Sequence, residues 1–196
     1  MKTSLRRQSL RNHIRLQRRA LTPQQQSIAA SKVVSHVLAD TRIRAAKTLA
    51  LFFSFDGELD TRPLIDVLWQ AGKQVYLPVL HPFTPGHLLF LRYSTSLPLV
   101  LNRLRIRELQ LDVTILLPLV QLDILFTPLV AFDSLGHRLG MGGGFYDRTL
   151  QHWRSGTKCF PIGLAHDCQQ TAEALPVKEW DVSLPEIITP SCHWRW

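Results

Sequence analysis

The segment 131–150, AFDSLGHRLGMGGGFYDRTL, places four glycines within five residues, at 140 and 142–144. It lies between an apolar run and a stretch with helical spacing. Glycine tolerates positive φ and lets successive backbone N–H groups converge on one point. At the start of a helix such a nest is an anion site, and phosphate is its usual guest. A merely flexible turn would need fewer glycines. Arg138 and Arg148 bracket the loop. Either could give charge-assisted bonds to phosphoryl oxygens, although Arg148 reads more simply as a surface or ion-pair residue. Asp147 falls in the first turn of the helix, and Asp133 ends the preceding apolar run. A carboxylate beside a phosphate nest suits a Mg²⁺ ion bridging phosphates. The same spacing suits a first-turn acid answering the helix dipole.

The common nucleotide fingerprints are absent. A P-loop needs Gly-Lys-Ser/Thr at its end, and Gly144 is followed by Phe145. A dinucleotide motif starting at Gly140 needs glycine at 145. A second segment, FFSFDGELD at 52–60, sets three phenylalanines and three acids at the end of an apolar run. Ligands of open α/β sheets bind beyond the carboxyl ends of the strands. An aromatic wall with a carboxylate suits a flat heterocycle bearing N–H donors. A loop of core phenylalanines with a capping Asp60 would look the same.

The flanking elements follow from periodicity. Leu10, Ile14 and Leu21 recur near the helical period among Arg11, Arg15, Arg18 and Arg19, which predicts an amphipathic helix with a cationic face over about 5–20. Thr22-Pro23-Gln24-Gln25 is a helix start, with a cap, proline in the first turn and glutamine at the third position. That second helix should end near Asp40. Residues 48–53 (TLALFF) and 74–79 (QVYLPV) read as strands buried on both faces. Between them Asp60-Thr61 and Pro63 predict a capped helix over 64–70, closed by Gly72. Further strands are expected at 88–93, 122–126, 129–132, 160–165 and 187–189, with a helix from 146 to about 153. Residues 94–112 show no regular pattern. The expected fold is α/β: a single domain over 1–196, with an open, mostly parallel sheet flanked by helices on both faces.

Composition agrees. With 45% hydrophobic and 19% charged residues the chain is not a disordered one. Its net charge of +8 is concentrated: residues 1–40 hold eight Lys/Arg against one acid, and the remainder is nearly balanced. Basicity confined to one segment disfavours a protein that coats nucleic acid, but leaves open binding through the Arg-rich helix. No apolar run is long enough to span a membrane, and the first 20 residues lack a secretory apolar core. They are Arg-rich and acid-free, like a transit peptide, but helical spacing running into the next element favours an integral helix. Three cysteines, without metal spacing, fit a reducing, cytoplasmic setting. His166-Asp167-Cys168 could suggest a nucleophile, but neighbours in one chain seldom face one another.

Together these features resemble the 5-formyltetrahydrofolate cyclo-ligase family. The resemblance rests on RQSLR (Arg7 to Arg11), FFSFDGELDT, LPVLHP at 77–82, LPLVQLDILFTPLVAFD at 117–133, AFDSLGHRLGMGGGFYDR, IGLAHDCQ at 162–169 and EWDVSLPEIITP at 179–190. It implies an ATP- and Mg²⁺-dependent cyclisation of a reduced folate. It further implies that Arg7, Gln8, Ser9, Leu10 and Arg11 line the nucleotide together with Arg138, Leu139, Gly140, Met141, Gly142, Gly143, Gly144, Phe145, Tyr146 and Asp147. Arg138 and Asp147 would be catalytic, Asp147 and Asp181 would hold Mg²⁺, and Phe53 and Glu58 would contact the folate. The chain departs from the family pattern in three places. Phe145 replaces a tyrosine, Arg7 replaces a lysine, and Glu108-Leu109 replaces Glu-Pro.

Overall fold

The computed structural model describes residues 2–156 and 158–196. Helix α1 (Lys2–Arg19) leads into α2 (Pro23–Ala39). The turn between them carries the expected capping box. The Thr22 hydroxyl accepts from the Gln25 N–H at 3.2 Å, and the Gln25 side chain accepts from the Thr22 N–H at 2.8 Å. Asp40 ends α2 and caps the short α3 (Thr41–Ala45) through the N–H groups of Arg42 and Ile43.

Strand β1 is Thr48–Ala50, shorter than the apolar run that encodes it. Leu51 still donates to Tyr76, but Phe52 and Phe53 leave the ladder, and the Phe52 carbonyl accepts from the buried Thr61 hydroxyl instead. Thr61 therefore fixes the loop rather than capping α4 (Arg62–Gln70); Asp60 accepts from the Arg62 N–H at that end. The chain continues through β2 (Gln74–Leu80) and β3 (Leu88–Arg92). The stretch with no regular pattern folds as a hairpin, β4 (Leu99–Leu101) and β5 (Arg107–Leu109). Arg105 turns it at φ +58°, and Asn102 caps the turn by accepting from the N–H groups of Leu104 and Ile106.

After β6 (Leu116–Leu117) and β7 (Ile124–Pro128), β8 (Ala131–Phe132) pairs with β9 (Arg138–Leu139) apart from the main sheet, and Phe132 also bridges to Gln170. The helix expected over 146–153 breaks into α5 (Phe145–Leu150) and α6 (Trp153–Gly156). Strands β10 (Phe160–Leu164) and β11 (Glu186–Ile188) follow. A final strand, β12 (His193–Arg195), had no clear sequence signal. Trp194 packs edge-on to Phe132, and the Trp196 indole donates to the Ser134 carbonyl at 2.6 Å.

The sheet order is β12-β11-β10-β7-β1-β2-β3-β6. The four central pairings, β11–β10–β7–β1–β2, are parallel, and the outer ones are antiparallel. This is the expected open, mostly parallel α/β sheet. Alternate side chains separate its faces. Leu49, Ile124, Phe126 and Leu77 pack with Val33, Val37, Leu64 and Leu68 of α2 and α4. Ala50, Leu125 and Tyr76 pack on the opposite face with Leu150 of α5. All four parallel connections make the strand carboxyl ends share one edge, and the loops after β1, β2 and β7 converge there.

Candidate active site

A cavity of about 410 Å³ opens at that edge. One wall is the loop after β1, with Phe53 and Glu58. The opposite wall is Arg138, the glycine loop and the first turn of α5. The β4–β5 hairpin closes a third side with Asn102, Arg107 and Glu108. The two segments singled out in the sequence, some eighty residues apart, thus face one space.

The glycine loop has the conformation its composition permits. Gly142 has φ +105° and Gly144, immediately before α5, has φ +68°. A side chain at 142 would be strained there, and its first carbon would meet the Arg11 guanidinium at 3.6 Å. Arg11 donates from Nε to the Gly140 carbonyl at 2.8 Å. Among the described residues Arg148 forms no ion pair, and it lies at the surface. Its guanidinium folds back to donate to the Gly143 carbonyl at 2.8 Å and, more weakly, to Gly86. Two arginines, one from α1 and one from α5, therefore brace the loop through its carbonyls.

Arg138 is 4% exposed and donates to Asp147 Oδ1 at 2.7 Å. Its Nε is buried without a hydrogen-bond partner among the described residues. Burial lowers the affinity of this guanidinium for its proton, while Asp147 and Asp181 oppose that effect. An unmatched donor on a buried cation in the cavity wall is what a phosphoryl oxygen would satisfy. The residues present therefore fit a nucleoside triphosphate.

Asp147 also accepts from the Val182 N–H, again at Oδ1. Among the described residues both hydrogen bonds to its carboxylate fall on Oδ1, so Oδ2 suits a divalent cation. Asp181 is already engaged by another group. Both its oxygens accept from the Arg7 guanidinium, one of them also from the Lys178 N–H. It is absent from the cavity lining. Arg7 in turn donates to the Pro176 carbonyl, so the pair anchors α1 beside the glycine loop. Ser9 and Leu10 line a separate cleft with His13 and Thr171. Gln8 bonds Asn12 and Arg11. Of the five α1 residues expected at the nucleotide, Arg11 alone is seen against the glycine loop. Asp133 is a turn anchor: burial opposes its ionisation, but N–H donors of Leu175 and Leu135 and the His137 ring hold its carboxyl low.

On the facing wall Phe53 packs edge-on to Tyr93 at 5.3 Å. Glu58 accepts from the Phe55 N–H at 3.1 Å and lies 3.7 Å from the fully buried Arg18 guanidinium. Burial pushes its carboxyl up to about 7 although Arg18 pulls the other way. Tyr146 is held protonated by burial and by the Glu58 charge. Sequence inspection missed the hairpin. Glu108 accepts from Leu80 N–H and from the Asn102 amide, which shapes the cavity's third side. Its signal was the apolar run 97–101 before Asn102 and the charged–apolar alternation of 103–109 after it.

An open α/β sheet with a phosphate-type loop and a buried carboxylate around one cavity defines an enzyme of small molecules. Comparison with known proteins makes the class specific. Residues 3–190 match the model of the 5-formyltetrahydrofolate cyclo-ligase family. The chain is 58% identical over 183 residues to the 5-formyltetrahydrofolate cyclo-ligase of Escherichia coli K12, covering 93% of this chain and 100% of that protein. It is 55% identical over 183 residues to the Haemophilus influenzae protein of the same name, covering 93% and 96%. Its fold matches the 5,10-methenyltetrahydrofolate synthetase of Aquifex aeolicus with a TM-score of 0.80 at 26% identity, over 96% of this chain and 92% of that one. The chain belongs to the 5-formyltetrahydrofolate cyclo-ligase family, and it is a ligase.

Proposed function

We propose that this chain cyclises 5-formyltetrahydrofolate to 5,10-methenyltetrahydrofolate, consuming ATP with Mg²⁺ and releasing ADP and phosphate. The observation that carries this is the single cavity shared by the Glu58 wall and the Gly140–Asp147 wall. A reaction that activates one substrate with a group from another needs both within contact.

The formyl oxygen is amide-like and leaves poorly. ATP supplies the phosphoryl group that makes it a leaving group, after which N10 attacks the formyl carbon and phosphate departs. The protein's part is positioning and charge. The amides of Gly142, Gly143 and Gly144 bind the phosphates, with Leu139 and Met141 shaping the loop and Phe145 and Tyr146 closing it against the folate. Arg138 offsets charge on the group in flight through its unmatched Nε. Asp147 holds Mg²⁺ through its free oxygen and orients Arg138 through the other. Arg11 fixes the loop, and Arg7 with Asp181 fixes α1. Phe53 packs on the folate ring, and Glu58 accepts from its N–H donors. The free thiols of Cys159, Cys168 and Cys192 support work in a reducing, cytoplasmic setting.

The test is incubation with 5-formyltetrahydrofolate, Mg²⁺ and ATP, followed by absorbance of the methenyl chromophore. Signal is expected only with ATP present. Folded protein giving no ATP-dependent signal would overturn the assignment.

A further inference from the structure

Asp56 precedes Glu58 by two residues and stands at φ +56°, a conformation that L side chains other than Asn and Asp seldom adopt. Its carboxylate is almost fully buried, yet it touches no ligand-facing surface of the cavity. Three arginines of α1 converge on it. Arg15 donates to Oδ2 at 2.7 Å, Arg18 donates to the same oxygen at 3.2 Å, and Arg19 donates to Oδ1. Arg18 has no exposed surface. It also donates from Nε to the Asp56 carbonyl at 2.8 Å and reaches the Leu129 carbonyl. The next residue, Gly57, is at φ +76°, with the Arg18 carbonyl only 3.1 Å from where a side chain would begin. Gln26 of α2 donates to the Gly57 carbonyl. The turn 55–58 is therefore clamped by α1 and α2; it contributes Phe55 and Glu58 to the cavity wall, and Glu58 is its one charged group there.

A surface loop needs no such investment for stability alone. We propose that Asp56, gripped by Arg15, Arg18 and Arg19, is a positioning residue of the reaction: it fixes the turn so that Glu58 presents its carboxylate to the folate, with Arg18 shared between the two acids. The inference rests on the reading that Glu58 contacts the folate. The groups facing Glu58 are Arg18 from α1, Asp56 from its own turn, and Tyr146 from α5, with neutral His166 beneath the turn. Removing the Asp56 charge takes a like charge away from Glu58 and frees Arg18 to pair with it. Both effects favour the ionised form.

The test uses Asp56→Asn, which tolerates the same backbone, and Arg15→Gln, whose side chain is partly exposed and whose loss is milder. Glu58→Gln is the reference. In Asp56→Asn the KM for 5-formyltetrahydrofolate is expected to rise about tenfold, as for loss of one charged hydrogen bond, with the KM for ATP within about twofold. The acid limb of its kcat/KM profile for the folate should move to lower pH. Arg15→Gln should show a smaller shift of the same kind. A purely structural role predicts lower thermal stability with neither the KM split nor the moved limb. If Glu58→Gln raises the folate KM while Asp56→Asn and Arg15→Gln leave it and the pH profile unchanged, the positioning role falls and the role of Glu58 stands. If Glu58→Gln leaves the folate KM unchanged, both fall.

Discussion

Glu58 and Arg138 show how burial gives an ordinary side chain a task. Glu58 titrates near 7 instead of 4.5 because its carboxylate is desolvated. The folded chain then holds that proton more tightly than the unfolded chain. Its stabilising effect is complete below pH 4.5 and is lost as the pH rises through about 7. Glu58→Gln removes this dependence, so the melting temperature of the variant relative to the parent should be higher at pH 8 than at pH 5 by calorimetry. The same variant should raise the folate KM about tenfold and leave the ATP KM nearly unchanged in steady-state assays. Equal effects on both substrates would contradict its placement. Arg138 faces the opposite demand: a buried cation held by Asp147 with one donor unmatched. Arg138→Ala should lower kcat by about 100-fold, the usual cost of removing one preorganised donor to developing charge. A loss confined to stability, with kcat intact, would remove it from the chemistry.

The glycine loop acts as a unit. Arg11 and Arg148 hold its Gly140 and Gly143 carbonyls, and its backbone needs positive φ at Gly142 and Gly144. Gly142→Val strains the backbone, which stands at φ +105°. In thermal-shift measurements the variant should melt several degrees below the parent without ligand and also lose most of the stabilisation given by ATP. A full ATP shift would place the nucleotide elsewhere. This loop was legible because glycines mark a backbone requirement that no other residue meets. The β4–β5 hairpin was not, since its strands are three residues each and too short to show a period, and β5 also packs on β2. The 48–53 run was read as one strand, but a hydroxyl thirteen positions downstream of its start, at Thr61, draws the Phe52 carbonyl out of the ladder. The break between α5 and α6 likewise left no mark in the apolar pattern.

At the scale of the whole molecule, α1 decides between two uses of its charge. An Arg-rich helix with a free cationic face would bind nucleic acid. Here Arg7, Arg11, Arg15 and Arg18 bind the chain's own carboxylates and carbonyls. RNA should therefore be retained weakly at about 0.15 M salt in filter binding, where exposed charges are largely screened, and ATP should leave that retention unaltered. Tight, salt-sensitive RNA retention without ATP-dependent stabilisation would restore the nucleic-acid alternative. Sequence alone determined the helices with strong caps, the parallel strand–helix–strand unit, the anion-type loop and the family, because these depend on neighbours in the chain or on motifs kept together along it. Only the tertiary structure decided that Glu58 and Arg138 face one cavity, that Asp181 pairs with Arg7, and that three arginines of α1 meet on Asp56 with Arg18 fully buried. Those outcomes depend on which groups lose water together, and desolvation is fixed by packing between segments far apart in the chain.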